Sequence, residues 1–158
     1  MKRRVILCPN PTKDVGLETS REAKQILETA GFAVSVSPEL LDGRPDDWPE
    51  DLPICELEDV IDGAVLAVSL GGDGTIMHTI RRLMGHSIPV IGVNLGTVGF
   101  LAELDRSDLP MLVSAARGEY TPSPRMMLEI SVERAGKTVY SNYAINDVSL
   151  HGIVQMIT

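Results

Sequence analysis

The sequence predicts an α/β fold, a parallel sheet carrying helices, followed by the first strands of a second, β-rich domain. Three observations predict it. The apolar runs Val5–Cys8, Ala64–Leu70 and Pro89–Val93 are short and continuous, as strands buried on both faces are. Segments with helical apolar spacing lie between them, so strand, helix, strand, helix and strand follow in close succession. From Tyr120 onward that pattern gives way to strand-like segments around a turn-forming Ala135-Gly136 pair.

Each element follows from its residues. The first strand, Val5–Cys8, ends at Pro9-Asn10-Pro11, a turn. The next helix begins somewhere from Asp14 to Ser20, places Ala23, Ile26, Leu27 and Ala30 on one face, and ends at Gly31, a left-handed C-terminal residue. Phe32–Val36 alternates as a second strand. Between Glu39 and Asp62 stand ten acids and one base, Arg44, so this stretch sums to −9 while the whole chain sums to −8. Its Pro-punctuated part, 42–53, is expected to be a solvated surface loop. Ala64–Leu70 is the third strand, and Gly71-Gly72-Asp73-Gly74-Thr75 leads into a helix built on Ile76, Met77, Ile80, Leu83 and Met84 and closed by Gly85. Pro89–Val93 is the fourth strand, 108–117 a short helix, and Arg125–Arg134 with Lys137–Leu150 the strands of a hairpin. The expected division is 1–119 and 120–158, and the second part needs further strands as partners.

Composition narrows the function classes. With 44% hydrophobic and 23% charged residues the chain can bury a core, and with 4% aromatics that core is aliphatic. No apolar stretch approaches the roughly 20 residues of a membrane helix, so no membrane partner and a cytoplasmic location are expected. Cys8 and Cys55 are too few for a disulfide framework, and His78, His86 and His151 share no metal-like spacing, so no residue is assigned to a metal. No basic stripe exists to meet a nucleic acid. Arg81 and Arg82 read as solvated helix residues.

Right-handed crossovers bring the loops at the carboxyl ends of parallel strands to one edge, where ligands bind. The loops at Gly71 and at Asn94–Gly99 fall there. Glycines can take positive φ and let backbone N–H groups approach an anion, and the helix start adds partial positive charge. Asp73 stands out, because a carboxylate repels phosphate unless it holds a metal or accepts a proton. The plainer alternative is a strand-to-helix turn with Asp73 as its N-cap. The loop lacks the Lys of a Walker sequence and the spacing of the dinucleotide-binding glycine fingerprint.

Gly71-Gly72-Asp73-Gly74-Thr75 after a buried strand resembles the nucleotide-phosphate loop of the superfamily that joins NAD kinases, diacylglycerol kinases and 6-phosphofructokinases. Three further segments resemble the NAD kinase family in order and spacing: Gly92-Val93-Asn94-Leu95-Gly96-Thr97-Val98-Gly99-Phe100-Leu101, Arg125-Met126-Met127-Leu128, and Ala144-Ile145-Asn146-Asp147-Val148. The resemblance implies a Rossmann-like, phosphofructokinase-like sheet and transfer of the ATP γ-phosphoryl group to the 2′-hydroxyl of the adenosine ribose of NAD. It implies Asp73 as general base, and Gly71, Gly72, Gly74 and Thr75 around the phosphates. It also implies Asn94 holding the loop or a ligand, Phe100 against the adenine, and Asn146 and Asp147 on the ribose. A divalent cation, magnesium above all, is implied, with NAD and ATP, or polyphosphate, as substrates, and a homo-oligomer, dimer or tetramer, as the assembly.

Family members continue into a second domain with Gly-Asp-Gly and Ser-Thr-Pro-Thr-Gly-Ser segments, neither of which occurs here. The chain is therefore expected to be a fragment with little or no activity by itself. Two other readings share the loop: a lipid kinase, diacylglycerol or sphingoid, and a non-catalytic nucleotide-binding module.

Overall fold

The strand at the centre is apolar on both faces, and the rest of the sheet is arranged around it. In the computed structural model residues 3–38, 48–96, 99–145 and 148 are described. They form β1 (Arg4–Pro9), α1 (Glu18–Thr29), β2 (Ala33–Val36), α2 (Leu57–Val60), β3 (Ala64–Gly71), α3 (Asp73–Arg82), β4 (Val90–Asn94), β5 (Leu104–Asp105), α4 (Met111–Arg117), β6 (Met127–Arg134) and β7 (Lys137–Ile145). The chain divides into two units, 1–120 and 121–158.

In the first unit five parallel strands run in the order β2-β1-β3-β4-β5. Alternation along β1 decides which helices cover which face. Val5 and Leu7 point to one side and pack with Ala23 and Leu27 of α1 and Leu112 of α4, while Ile6 and Cys8 point to the other, against Leu57 and Val60 of α2 and Leu83 after α3. α1 and α3 thus lie on opposite faces, and the chain leaves the β1/β3 pair in opposite directions.

α1 starts at Glu18, within the expected window, for a reason that sequence spacing did not reveal. Asp14, only 2% exposed, accepts hydrogen bonds from the backbone N–H of Thr19 (2.9 Å), that of Ser20 (2.9 Å) and the Ser20 hydroxyl (2.6 Å). The carboxylate caps the helix from four residues upstream of its start, and the chain reaches it through two left-handed residues, Gly16 (φ 66°) and Leu17 (φ 56°). Gly31 (φ 92°) and Gly85 (φ 85°) end their helices in the left-handed conformation expected of them.

Three expectations are corrected. The described part of the acidic loop is solvated only at Glu50, Asp51 and Pro53: Trp48 and Leu52 are buried in the α1-side core, the Trp48 indole N–H donates to the Leu52 carbonyl, and Ile54 bridges Val36 in parallel. Arg21 on α1 ties to Asp51 at 2.7 Å, and that guanidinium holds the Asp51 carboxyl below the usual carboxylate range. The link therefore persists through that range and is lost as pH falls below it, through the depressed pKa. A fifth strand, β5, went unpredicted, and the helix expected at 108–117 begins at Met111 after a 3-10 turn, Arg106–Asp108. Arg82 is only partly solvated, for its guanidinium donates to the carbonyls of Ser37 (3.1 Å) and Pro38 (3.3 Å) and to the Ser37 hydroxyl (2.8 Å).

The second unit is the antiparallel pair β6-β7, joined by Ala135 (φ 51°) and Gly136 (φ 72°), the two-residue turn whose left-handed central residues match strand twist. Leu128, Ile130 and Val132 share one face with Ala144, Asn142 and Tyr140.

Replacing Asp14 leaves buried N–H groups at the start of α1 without their acceptor. Asp14→Ala is expected to lower the unfolding free energy by about 2–3 kcal/mol, read from urea denaturation, with Asp14→Asn intermediate.

Candidate functional site

The parallel strands bring the loops that follow β1, β3 and β4 to the carboxyl edge of the sheet. The register sets Gly71 opposite Asn94, and the Leu95 N–H donates to the Gly71 carbonyl at 2.8 Å, so the two expected site loops lie side by side.

The glycines of the β3–α3 junction do not serve positive φ. Gly72 is extended (φ −110°, ψ −172°), and neither Gly71 nor Gly74 is left-handed. Gly71 is required by packing, since a Cβ there would stand 2.7 Å from the Thr75 Cβ and closer still to its hydroxyl. Gly72 and Gly74 are different: a Cβ at either meets nothing within 4 Å. No torsion or contact within the described chain accounts for these two glycines, and they flank Asp73 at the first turn of α3.

Asp73 is not the N-cap. The cap position is Gly72, and Asp73 is the first residue of the helix, where its charge suits the helix dipole. Its carboxylate reaches across to the neighbouring loop, accepting the Phe100 N–H (2.9 Å to Oδ2) and the Leu101 N–H (3.1 Å to Oδ1). Gly99 makes that approach possible, because a Cβ there would lie 2.8 Å from Asp73 Oδ1. Both oxygens of the carboxylate are thereby turned toward backbone donors.

The remaining expected residues take distinct places. Thr75 is 3% exposed and its hydroxyl accepts from the Asn10 amide at 3.2 Å, so it lies beneath the loop. Asn94 closes β4, and its Oδ1 accepts the Gly96 N–H at 3.0 Å, holding the loop locally. Phe100 is 89% exposed, so it is no core residue of the described chain, while its N–H is fixed by Asp73. Asn146 and Asp147 lie outside the described residues, as do Thr97, Val98 and His151. Asn10 escaped the sequence reading; its signal was an Asn at the carboxyl end of the first strand, obscured by a proline on each side. Among the described residues no group of three or more His, Cys, Asp or Glu is placed to hold a metal ion, and no helix is long and apolar enough to cross a membrane.

Comparison with known proteins places these residues in a wider set. The family described as ATP-NAD kinase N-terminal domain matches residues 5–117. The NAD kinase of Geobacter sulfurreducens (strain ATCC 51573 / DSM 12127 / PCA) is 40% identical over 129 residues, covering 79% of this chain and 43% of that protein. That of Azoarcus sp. (strain BH72) is 42% identical over 99 residues, covering 62% and 34%, and that of Heliobacterium modesticaldum (strain ATCC 51547 / Ice1) 47% over 97, covering 61% and 34%. The crystal structure of yeast NADH kinase complexed with NADH superposes with a TM-score of 0.67 at 22% identity, over 90% of this chain and 46% of that one, a likeness of fold. The chain thus spans less than half the length of these curated relatives.

The two kinds of glycine respond differently to a methyl group. Gly71→Ala is expected to lower stability by about 1–3 kcal/mol through the clash with Thr75, whereas Gly74→Ala raises it by about 0.4–1 kcal/mol. Urea midpoints of the two variants check both signs.

Proposed function

The chain belongs to the ATP-NAD kinase family, and on that premise we propose that it carries the phosphate-binding part of an enzyme transferring the ATP γ-phosphoryl group to the 2′-hydroxyl of the adenosine ribose of NAD, forming NADP. The observation that carries this reading is the pair of glycines, Gly72 and Gly74, that the fold does not require, set on either side of Asp73 at a helix start. Unpaired N–H groups of the first helical turn and open space above them suit phosphate oxygens.

In this reading Asp73 takes the proton of the 2′-hydroxyl. A carboxylate offers about four lone-pair sites, of which Phe100 and Leu101 occupy two. Acceptance can come late, when the attacking oxygen is already bonding to phosphorus, so little base strength is needed. Most of the acceleration comes from alignment of donor and acceptor. Phe100 offers its exposed ring to the adenine, Asn94 shapes the loop beneath it, and Asn146 with Asp147 read the ribose hydroxyls. A magnesium ion would neutralise phosphate charge; Mg²⁺ commonly takes its ligands from phosphates, water and one or two carboxylates. The donor is ATP or polyphosphate, and the protein is a homo-oligomer of the cytoplasm. The lipid-kinase alternative shares the Gly-Asp loop alone, while the family match runs from 5 to 117.

NADP formation from NAD, ATP and Mg²⁺ tests the reading, with the 158-residue chain compared against the product of the whole gene. Turnover is expected from a polypeptide of the relatives' length and little from these 158 residues alone; a full-length product that folds and makes no NADP refutes it. In the active protein Asp73→Asn is expected to lower kcat by about 100-fold or more. Unchanged turnover would remove Asp73 as the base.

A further inference from the structure

In a sheet ordered β2-β1-β3-β4-β5 the direction of winding reverses between β1 and β3. α1 leaves to one face and α3 to the other, so the crevice opens between the loops after β1 and β3, where doubly wound sheets bind ligands. The loop after β3 is the glycine loop. Its counterpart after β1, residues 10–14, has been assigned nothing.

That counterpart is anchored to the glycine loop. The Asn10 N–H donates to the Leu70 carbonyl at 2.9 Å, and the Asn10 side-chain amide donates to the Thr75 hydroxyl at 3.2 Å. The Asn10 side-chain oxygen accepts from the Thr12 N–H (3.0 Å) and hydroxyl (2.7 Å), and its main-chain carbonyl accepts the N–H groups of Lys13 (3.0 Å) and Asp14 (2.9 Å). Every polar group of Asn10 thus either holds the turn together or fixes it to β3 and the glycine loop.

The turn presents one charge to solvent. Lys13 is exposed, while the charge of Asp14 is buried and spent on the α1 cap. Across 10–14, 71–75 and 95–103 the sequence contains one base, Lys13. The glycine loop has no lysine of the Walker kind, so the cation for a phosphate chain must come from another segment.

We propose that Lys13 is the cation of the phosphate subsite, held at the β1/β3 crevice by Asn10 as a positioning residue, and that its ligand is the phosphate chain of the triphosphate donor. The proposal rests on the kinase reading above and adds the residue that neutralises the donor.

The test is equilibrium binding of ATP, inorganic tripolyphosphate and NAD to the whole-gene product and its Lys13→Met, Lys13→Arg and Asn10→Ala variants. Lys13→Met is expected to weaken ATP and tripolyphosphate by about tenfold, with NAD affinity and the urea midpoint unchanged. Its remaining affinity should be less sensitive to KCl between about 0.01 and 0.3 M. Lys13→Arg restores binding to within about threefold, since the charge is kept. Asn10→Ala loses ATP affinity with Lys13 still in place. If the parent chain binds ATP and Lys13→Met binds it equally well, or loses NAD as much as ATP, the proposal is overturned and the kinase reading stands. If the folded whole-gene product binds none of the three, both fall.

Discussion

The pairing of β1 with β3 is the constraint on which the rest of the architecture depends. Both strands are apolar on two faces, so each must be covered twice, and the chain meets that demand by sending α1 to one side and α3 to the other. Because crossovers between parallel strands are right-handed as a rule, that choice goes with the strand order and leaves the loops after β1 and β3 facing one another at the carboxyl edge. The functional loops are side by side as a consequence of core packing. Asn10, with one hydrogen bond to Leu70 of β3 and another to Thr75 of α3, joins that edge to the sheet beneath it.

At the edge the glycines divide into two groups. Gly71, Gly92 and Gly99 lie where a side chain would collide with Thr75, with Ile76 and Ala102, and with Asp73. They allow α3 and the 99–101 loop to sit close to the sheet and to one another. Gly72 and Gly74 contribute nothing of that kind; Gly72 suits the cap position it holds, but inside the helix a glycine such as Gly74 is a loss of about 0.5–1 kcal/mol against alanine. In the proposed reading, the backbone left bare beside the carboxylate is where phosphate approaches.

Much of this was legible in the sequence, and what was not has identifiable causes. The three apolar strands, the glycine ends of α1 and α3 and the Ala135-Gly136 turn announce themselves because each depends on residues within a few positions of one another. β5 is two residues long, and Leu104–Asp105 has no periodicity to detect; it exists because β4 has an open edge. Trp48 and Leu52 were hidden by the acids around them, since the sum of charge says nothing about which side chains turn inward. The Asp14 cap is invisible to the usual spacing rule because Gly16 and Leu17 loop out between the cap and the helix it serves. Asn10 and Thr75 are separated by 65 positions, Asp73 and Phe100 by 27, and only the folded sheet makes them neighbours.

The contact between Asp73 and the 99–101 loop resolves the oddity of a carboxylate in a phosphate site. At about 4 Å and an effective dielectric of about 20, a carboxylate and a phosphate oxygen repel by roughly 4 kcal/mol if each bears full charge. Here the carboxylate oxygens are turned to two backbone donors, and the residue stands at the positive end of α3, so its field toward the open space above Gly72 and Gly74 is reduced. The same contacts make the base and the loop one unit. In the proposed reaction, a proton arriving on Asp73 weakens its hold on the Phe100 and Leu101 N–H groups, because a neutral carboxyl is a poorer acceptor than a carboxylate. The exposed ring of Phe100 hangs from that held backbone. In that reading proton transfer and the grip on the adenine side of the substrate would be coupled through two hydrogen bonds, and formation of product would loosen the loop that held the substrate.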